Sequence, residues 1–157
     1  MSEVYALYLQ ENRTVLEEDS GRCSFFDGTP IEWLDALCLR YGSSYEGRCA
    51  SFCHVLGIRQ KPCVLVSERK GNIYLPTRSA ENPACVWLLY NAIVSTQRKD
   101  SHHTIVKFTN HRTIEINADI RVILGQMKRC EAYLQALADS GRNDQDRVKE
   151  LVRGIDQ

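Results

Sequence analysis

Apolar residues cluster in short runs through the first two thirds of the chain and recur at helical spacing through the last third. That layout predicts an α+β fold: a mixed, mainly antiparallel β-sheet, an N-terminal capped helix and C-terminal helices. Residues 4–9 are apolar and aromatic enough for a strand; 14–17 can pair with them, and 22–26 form a third short candidate. A helix then starts at Thr29-Pro30-Ile31-Glu32. Thr29 is a cap, Pro30 suits the first helical position, and Glu32 closes a capping box. Ile31, Leu34, Cys38 and Tyr41 share one face, and Gly42 is placed to end the helix.

Further along, Cys49, Phe52, Cys53 and Leu56 have helical spacing, although a stretch as short as 48–56 also fits a strand edge. After Pro62 the pattern turns β. Residues 63–66 and 72–75 flank a turn at Gly71, and 84–94 make the longest strand candidate, rich in Val, Ile, Leu and aromatics. Residues 104–109 and 113–117 predict a hairpin around Asn110-His111, where His111 needs a positive φ that this residue type adopts more readily than branched ones. Ile120, Ile123, Leu124, Met127, Cys130, Leu134 and Leu137 then form one helical stripe, with Asp119 near its start and Gly141 past its end. Gly125 inside it costs about 1 kcal/mol relative to Ala. A second helix is predicted over 144–153, capped by Asn143, with Val148, Leu151, Val152 and Ile155 as its apolar side.

At 157 residues the chain reads as a single domain, 1–157, with room for a full core. The longest apolar run is far short of a membrane span, and Met1-Ser2-Glu3 opens without a basic or apolar leader. Seven cysteines without disulfide-like spacing favour a reduced, cytoplasmic protein. Net charge is zero but unevenly spread. Residues 1–37 carry −6, residues 38–113 carry +7 and residues 114–157 carry −1. The basic middle, which includes Arg40, Arg59, Arg69, Lys70, Arg98, Lys99, Lys107 and Arg112, can give a neutral protein a positive face. Ordinary solvated surface is the alternative.

Three kinds of chemistry come into question. Gly42-Ser43-Ser44-Tyr45-Glu46-Gly47-Arg48 follows a helix end with two flexible glycines, two hydroxyls and a permanently charged fork, a composition that can hold a phosphate. Cys49, Cys53 and His54 lie close in sequence, with Cys38, Cys63 and Cys85 free to join them, but no paired C-x₂-C spacing supports zinc. His102-His103 reads as an exposed strand start. For catalysis there is no G-x-S-x-G, no phosphate loop and no H-E-x-x-H. The chain is expected to be no enzyme, and to need no metal or cofactor.

Three blocks bring in a wider resemblance. The first runs from Cys38-Leu39-Arg40-Tyr41 into the Gly42–Arg48 segment. The second runs from Lys61-Pro62 through Cys63-Val64-Leu65-Val66 to Ile73-Tyr74-Leu75-Pro76-Thr77-Arg78-Ser79 and Asn82-Pro83-Ala84-Cys85-Val86-Trp87. The third is Val106-Lys107-Phe108-Thr109-Asn110-His111-Arg112-Thr113-Ile114-Glu115-Ile116. In order and spacing, across about 23–137, these resemble the ComK family of bacterial competence transcription factors. Asn110-His111 departs from the Asn-Gly expected of that hairpin.

The resemblance implies a transcription activator of DNA-uptake genes, bound as a homo-oligomer to paired AT-rich boxes on double-stranded DNA through the minor groove. A-tracts narrow that groove and deepen its negative potential, which draws in arginine. Arg48 and Arg78, beside small or hydroxylated neighbours, are the groove candidates. Ser43, Ser44, Lys61, Lys107 and Arg112 are the phosphate-contact candidates. The competing role for both arginines is pairing a carboxylate or bracing a loop. Family members carry a longer C-terminal tail tied to activation and to a proteolytic adaptor. With the sequence ending at Gln157, DNA binding is the firmer expectation, and contact with RNA polymerase or an adaptor the weaker one. The competing readings are a protein-interaction module or paralogue that keeps the fold without DNA binding, and a thiol- or zinc-responsive sensor.

Overall fold

The computed structural model describes the backbone of residues 2–155 and the side chains of 2–141 and 149–152. The elements run β1 (Val4–Gln10), β2 (Arg13–Glu18), β3 (Cys23–Phe26), α1 (Pro30–Arg40), α2 (Tyr45–Leu56), β4 (Val64–Ser67), β5 (Asn72–Pro76), β6 (Val86–Leu89), β7 (Ile93–Asp100), β8 (His103–Phe108), β9 (Thr113–Ile116) and α3 (Ile120–Ile155). Strands β3-β2-β1-β6-β5-β4 form a six-stranded sheet, and β7-β8-β9 a three-stranded one. Every pairing is antiparallel, so the predicted α+β class is what forms.

Local chemistry sets the first elements. Glu11 and Asn12 both take positive φ, the requirement for a two-residue turn that matches strand twist, and so link β1 to β2. Helix α1 begins with the predicted capping box. Thr29 Oγ1 accepts the Glu32 N–H at 3.2 Å, and Glu32 Oε1 accepts the Thr29 N–H at 3.3 Å. It ends at Gly42, whose φ of +83° suits only glycine without strain. Residues 45–56 are helical, begun by the Ser44 cap and closed by Gly57 at φ +65°.

Aromatic residues join the layers. Trp33 of α1 stands edge-on to Tyr74 of β5, Tyr45 of α2 edge-on to Trp87 of β6, and Phe52 of α2 tilts against Tyr133 of α3. Trp87, Phe52 and Tyr133 are fully buried. Each side chain of this size contributes about 1.5–3 kcal/mol through apolar burial. The small sheet docks on the N-terminal hairpin through Phe108 against Tyr5, at 5.3 Å between rings, and through Asn110 Nδ2, which donates to the Asp19 carbonyl at 2.9 Å.

Two predicted elements are corrected. Residues 84–94 are not one strand: β6 stops at Leu89, a 3₁₀ turn occupies Tyr90–Ala92, and β7 continues into the other sheet. The break is tertiary. Asn91 Oδ1 accepts the Ile73 N–H and its Nδ2 donates to the Gly71 carbonyl, pulling the chain around the end of β5. Likewise, the two predicted C-terminal helices are one helix of 36 residues that runs through Gly141. The predicted cap at Asn143 and the apolar positions Val148 and Ile155 lie outside the described side chains, whereas Leu151 and Val152 are exposed. Among the described residues, no helix is long and apolar enough to cross a membrane.

Candidate nucleic-acid interface

The loop from Gly57 to β4 and the loop leaving β5 lie side by side at the head of α3. Gln126, almost fully buried on α3, ties them together, its Nε2 donating to the Lys61 carbonyl at 3.0 Å and to the Pro76 carbonyl at 2.9 Å. Lys61 adopts φ +51°, a left-handed conformation that costs a non-glycine residue on the order of 1 kcal/mol or more. The Gln126 bond to its carbonyl and the rigid Pro62 hold it there.

Lys61 and Arg78 therefore face one cleft of about 430 Å³, shared with Ser79, His102, Asn117 and Asp119. Arg78 Nη2 donates to the Asn117 carbonyl at 2.6 Å, which braces the fork and leaves its other donors for a ligand. A second depression of about 640 Å³ adjoins it, sharing Lys61 and Ser79 and adding Arg59, Tyr45, Glu46 and Glu81. Together they form a trough from the start of α2 to the start of α3. Asp119 is the acidic residue of the first cleft. Arg121 Nη2 at 2.9 Å and Arg98 Nη2 at 3.7 Å face its carboxylate, and these, Arg121 first, hold its pKa down to about 2. Its charge is thus compensated within the wall. The trough then presents a lysine, two arginines and a hydroxyl alongside the carboxylates of Glu46 and Glu81.

The Gly42–Arg48 segment reaches the trough only through Tyr45 and Glu46, and its candidates Ser43, Ser44 and Arg48 are largely committed to the fold. Ser44 Oγ accepts the Gly47 N–H at 3.0 Å as the α2 cap, Ser43 Oγ donates to the Cys38 carbonyl at 3.3 Å, and Asp35 Oδ1 accepts the Tyr45 N–H at 2.9 Å. Arg48 Nη1 faces Glu68 Oε1 at 3.3 Å with its side chain only 14% exposed. Lys107 lies on β8 between Ser95 and Thr113, on the face of the small sheet away from buried Val106 and Phe108. Arg112 is exposed in the four-residue β8–β9 loop, and its guanidinium packs over Gly21. In that loop His111 takes φ +69° while Asn110 does not take positive φ, so the turn is not the two-residue type that Asn-Gly would make. The structure brings Lys61 and Arg78 together; Arg48, Lys107 and Arg112 stand apart from them.

Arg59 and His102 line the trough, and Arg98 and Arg121 reach its wall through Asp119; none of the four stands among the DNA-contact candidates. Arg59 and Arg98 were visible only as members of the basic middle. Arg121 falls in a segment of net charge −1, and no local signal marks it. The cysteines offer little reactivity. Cys38, Cys63, Cys85 and Cys130 are buried, and burial pushes the Cys49 thiol up to about 11, away from the nucleophilic thiolate. Among the described residues, no group of three or more His, Cys, Asp or Glu side chains is placed to hold a metal.

The fold and trough define a two-sheet α+β protein with a loop-built cleft that carries Arg59, Lys61 and Arg78. The chain belongs to the ComK family, matching the family described as "ComK protein" over residues 4–141. Over 103 residues, 65% of the chain, it is 30% identical to the competence transcription factor of Bacillus subtilis (strain 168), and the match covers 52% of that protein. The chain thus spans about half the length of this curated relative. No solved structure matches it.

Proposed function

We propose that this chain is a cytoplasmic, sequence-specific DNA-binding transcription activator, acting through one ComK-like domain on competence genes. The observation that carries the reading is the convergence of Lys61 and Arg78 on one trough, in a chain whose relative is named a competence transcription factor. Lys61, Arg59 and the Ser79 hydroxyl take backbone phosphates, and affinity comes from counterion release. Arg78, braced on Asn117, enters the minor groove of AT-rich boxes, where narrowing concentrates negative potential. Lys107 and Arg112 extend the positive surface on the small sheet, and Ser43, Ser44 and Arg48 shape α2 behind the trough. Paired boxes call for a homo-oligomer, because two-fold protein symmetry matches two half-sites. Contacts with RNA polymerase and with a proteolytic adaptor complete the reading.

The test is fluorescence anisotropy on a duplex with two phased A-tract boxes, against a GC-substituted duplex of equal length, across a salt series. Tighter, steeply salt-dependent binding to the AT duplex is expected. Equal binding to both removes sequence recognition. Absence of binding at low salt overturns the reading in favour of a protein-interaction module.

A further inference from the structure

A second cavity, of about 310 Å³, lies between the N-terminal strands of the large sheet and the β8–β9 loop of the small one. Three charged side chains line it, Glu17, Glu18 and Arg112, and Glu17 and Arg112 form no ion pair. Glu17 Oε2 is buried and has no hydrogen-bond partner. Burial raises the Glu17 pKa, and the nearby Arg112 offsets this only in part. Among the described residues the Arg112 side chain makes neither a hydrogen bond nor an ion pair. Its guanidinium is folded across Gly21, where a Cβ would sit 2.4 Å from Nε and Nη2. Gly21 also has φ +87°, so a side chain there is excluded on two grounds. An apolar part of the wall is formed by Tyr5, tilted against Phe108, with Ile114 beside them; Glu18, Cys23, Asn110 and Thr113 complete the lining.

A buried carboxylate oxygen without a donor carries a desolvation cost that a ligand donor can remove. A free guanidinium across the same cavity asks for an anion in fork geometry. We infer that this cavity binds a small zwitterion, an α-amino acid with a modest apolar side chain, its ammonium on Glu17 and its carboxylate on Arg112. The apolar side chain lies on Tyr5, Phe108 and Ile114. Because Glu17 belongs to one sheet and Arg112 to the loop of the other, the ligand bridges the two sheets and tightens their docking.

The experiment is thermal unfolding and isothermal titration of the full chain with L-leucine, L-phenylalanine and L-glutamine. The controls are 4-methylpentanoate, which lacks the ammonium of leucine, and 3-methylbutylamine, which lacks its carboxylate. For the zwitterion that fits, a hundredfold excess over Kd is expected to raise Tm on the order of 5–10 °C. Either single-charge control is expected to bind at least tenfold more weakly. Glu17→Gln should abolish the response while the ligand-free Tm stays level or rises, since it removes an unpaired buried charge. Arg112→Met should also abolish the response, with a lower ligand-free Tm because it removes the charge that partly offsets Glu17. No response to any of the three amino acids at 10 mM overturns the inference. So does a response that survives Glu17→Gln, or one that the amine alone reproduces in full.

Discussion

The Gly42–Arg48 segment and the Lys61–Arg78 trough carry similar side chains and put them to different uses. In the first, a helix ends and another begins within a few residues, so caps and turn bonds absorb both serines, and Arg48 lies against Glu68. In the second, the chain is held from behind by the Gln126 side chain, which donates to the Lys61 and Pro76 carbonyls, while the Arg78 fork spends one donor on the Asn117 carbonyl and keeps the others in front. A helix N-terminus already satisfied by its own residues has little left for a ligand. A loop braced through its carbonyls keeps its cations available. Arg48 shows the cost of the first arrangement, with an Nε that is buried and lacks a hydrogen-bond partner.

The sharpest way to break this contrast is to remove the brace. Gln126→Leu leaves the Lys61 and Pro76 carbonyls unpaired at a buried site and should cost roughly 2–4 kcal/mol of stability. It should also weaken DNA binding through displacement of Lys61, as read by urea unfolding and by anisotropy on the same protein. Arg78→Ala should leave Tm nearly unchanged and weaken binding to the AT duplex by about 1–3 kcal/mol, relaxing the preference over the GC duplex. Ser44→Ala removes a helix cap and should cost about 1 kcal/mol of stability, with DNA affinity unchanged. A loss of affinity without a loss of stability would erase the distinction between the two regions.

The smallest effect concerns Asp119. Its folded pKa of about 2 lies below the ordinary carboxyl value, so the stabilisation it brings is present above about pH 4 and lost as pH falls through about 2. Asp119→Asn should therefore lower Tm slightly at pH 7, with the difference from the parent vanishing in acid. The same change frees Arg98 and Arg121 and should tighten DNA binding modestly at low salt. Unchanged or weaker binding would show that these arginines serve only the wall.

How much could be read in advance follows the range of the interactions. The α1 cap, its glycine stop and the β8–β9 hairpin were legible because their determinants lie within four residues of one another. The break at Tyr90–Ala92 was not, because it contains no Gly or Pro and is enforced by Asn91 reaching β5. Strand β7 was missed for a related reason. It is an edge strand with polar residues on both faces beyond Val94, and so shows no alternation. Gly141 was read as a stop because glycine favours helix ends, yet nothing after it terminates α3. For the site, residue type made Lys61 and Arg78 candidates, but their meeting depends on Gln126, 65 residues from Lys61. Arg48 had equal local credentials and went to Glu68, a pairing that only the packing of α2 beside β4 creates.

The most direct test of the account is the slope of log Kd against log salt on the AT duplex, measured in parallel for the parent chain, Arg78→Ala and Arg48→Ala. The trough account predicts that Arg78→Ala lowers the magnitude of the slope by about one and raises Kd, while Arg48→Ala leaves slope and Kd unchanged and lowers only Tm. A slope that falls with Arg48→Ala and holds with Arg78→Ala would contradict it and return the DNA contact to the Gly42–Arg48 segment.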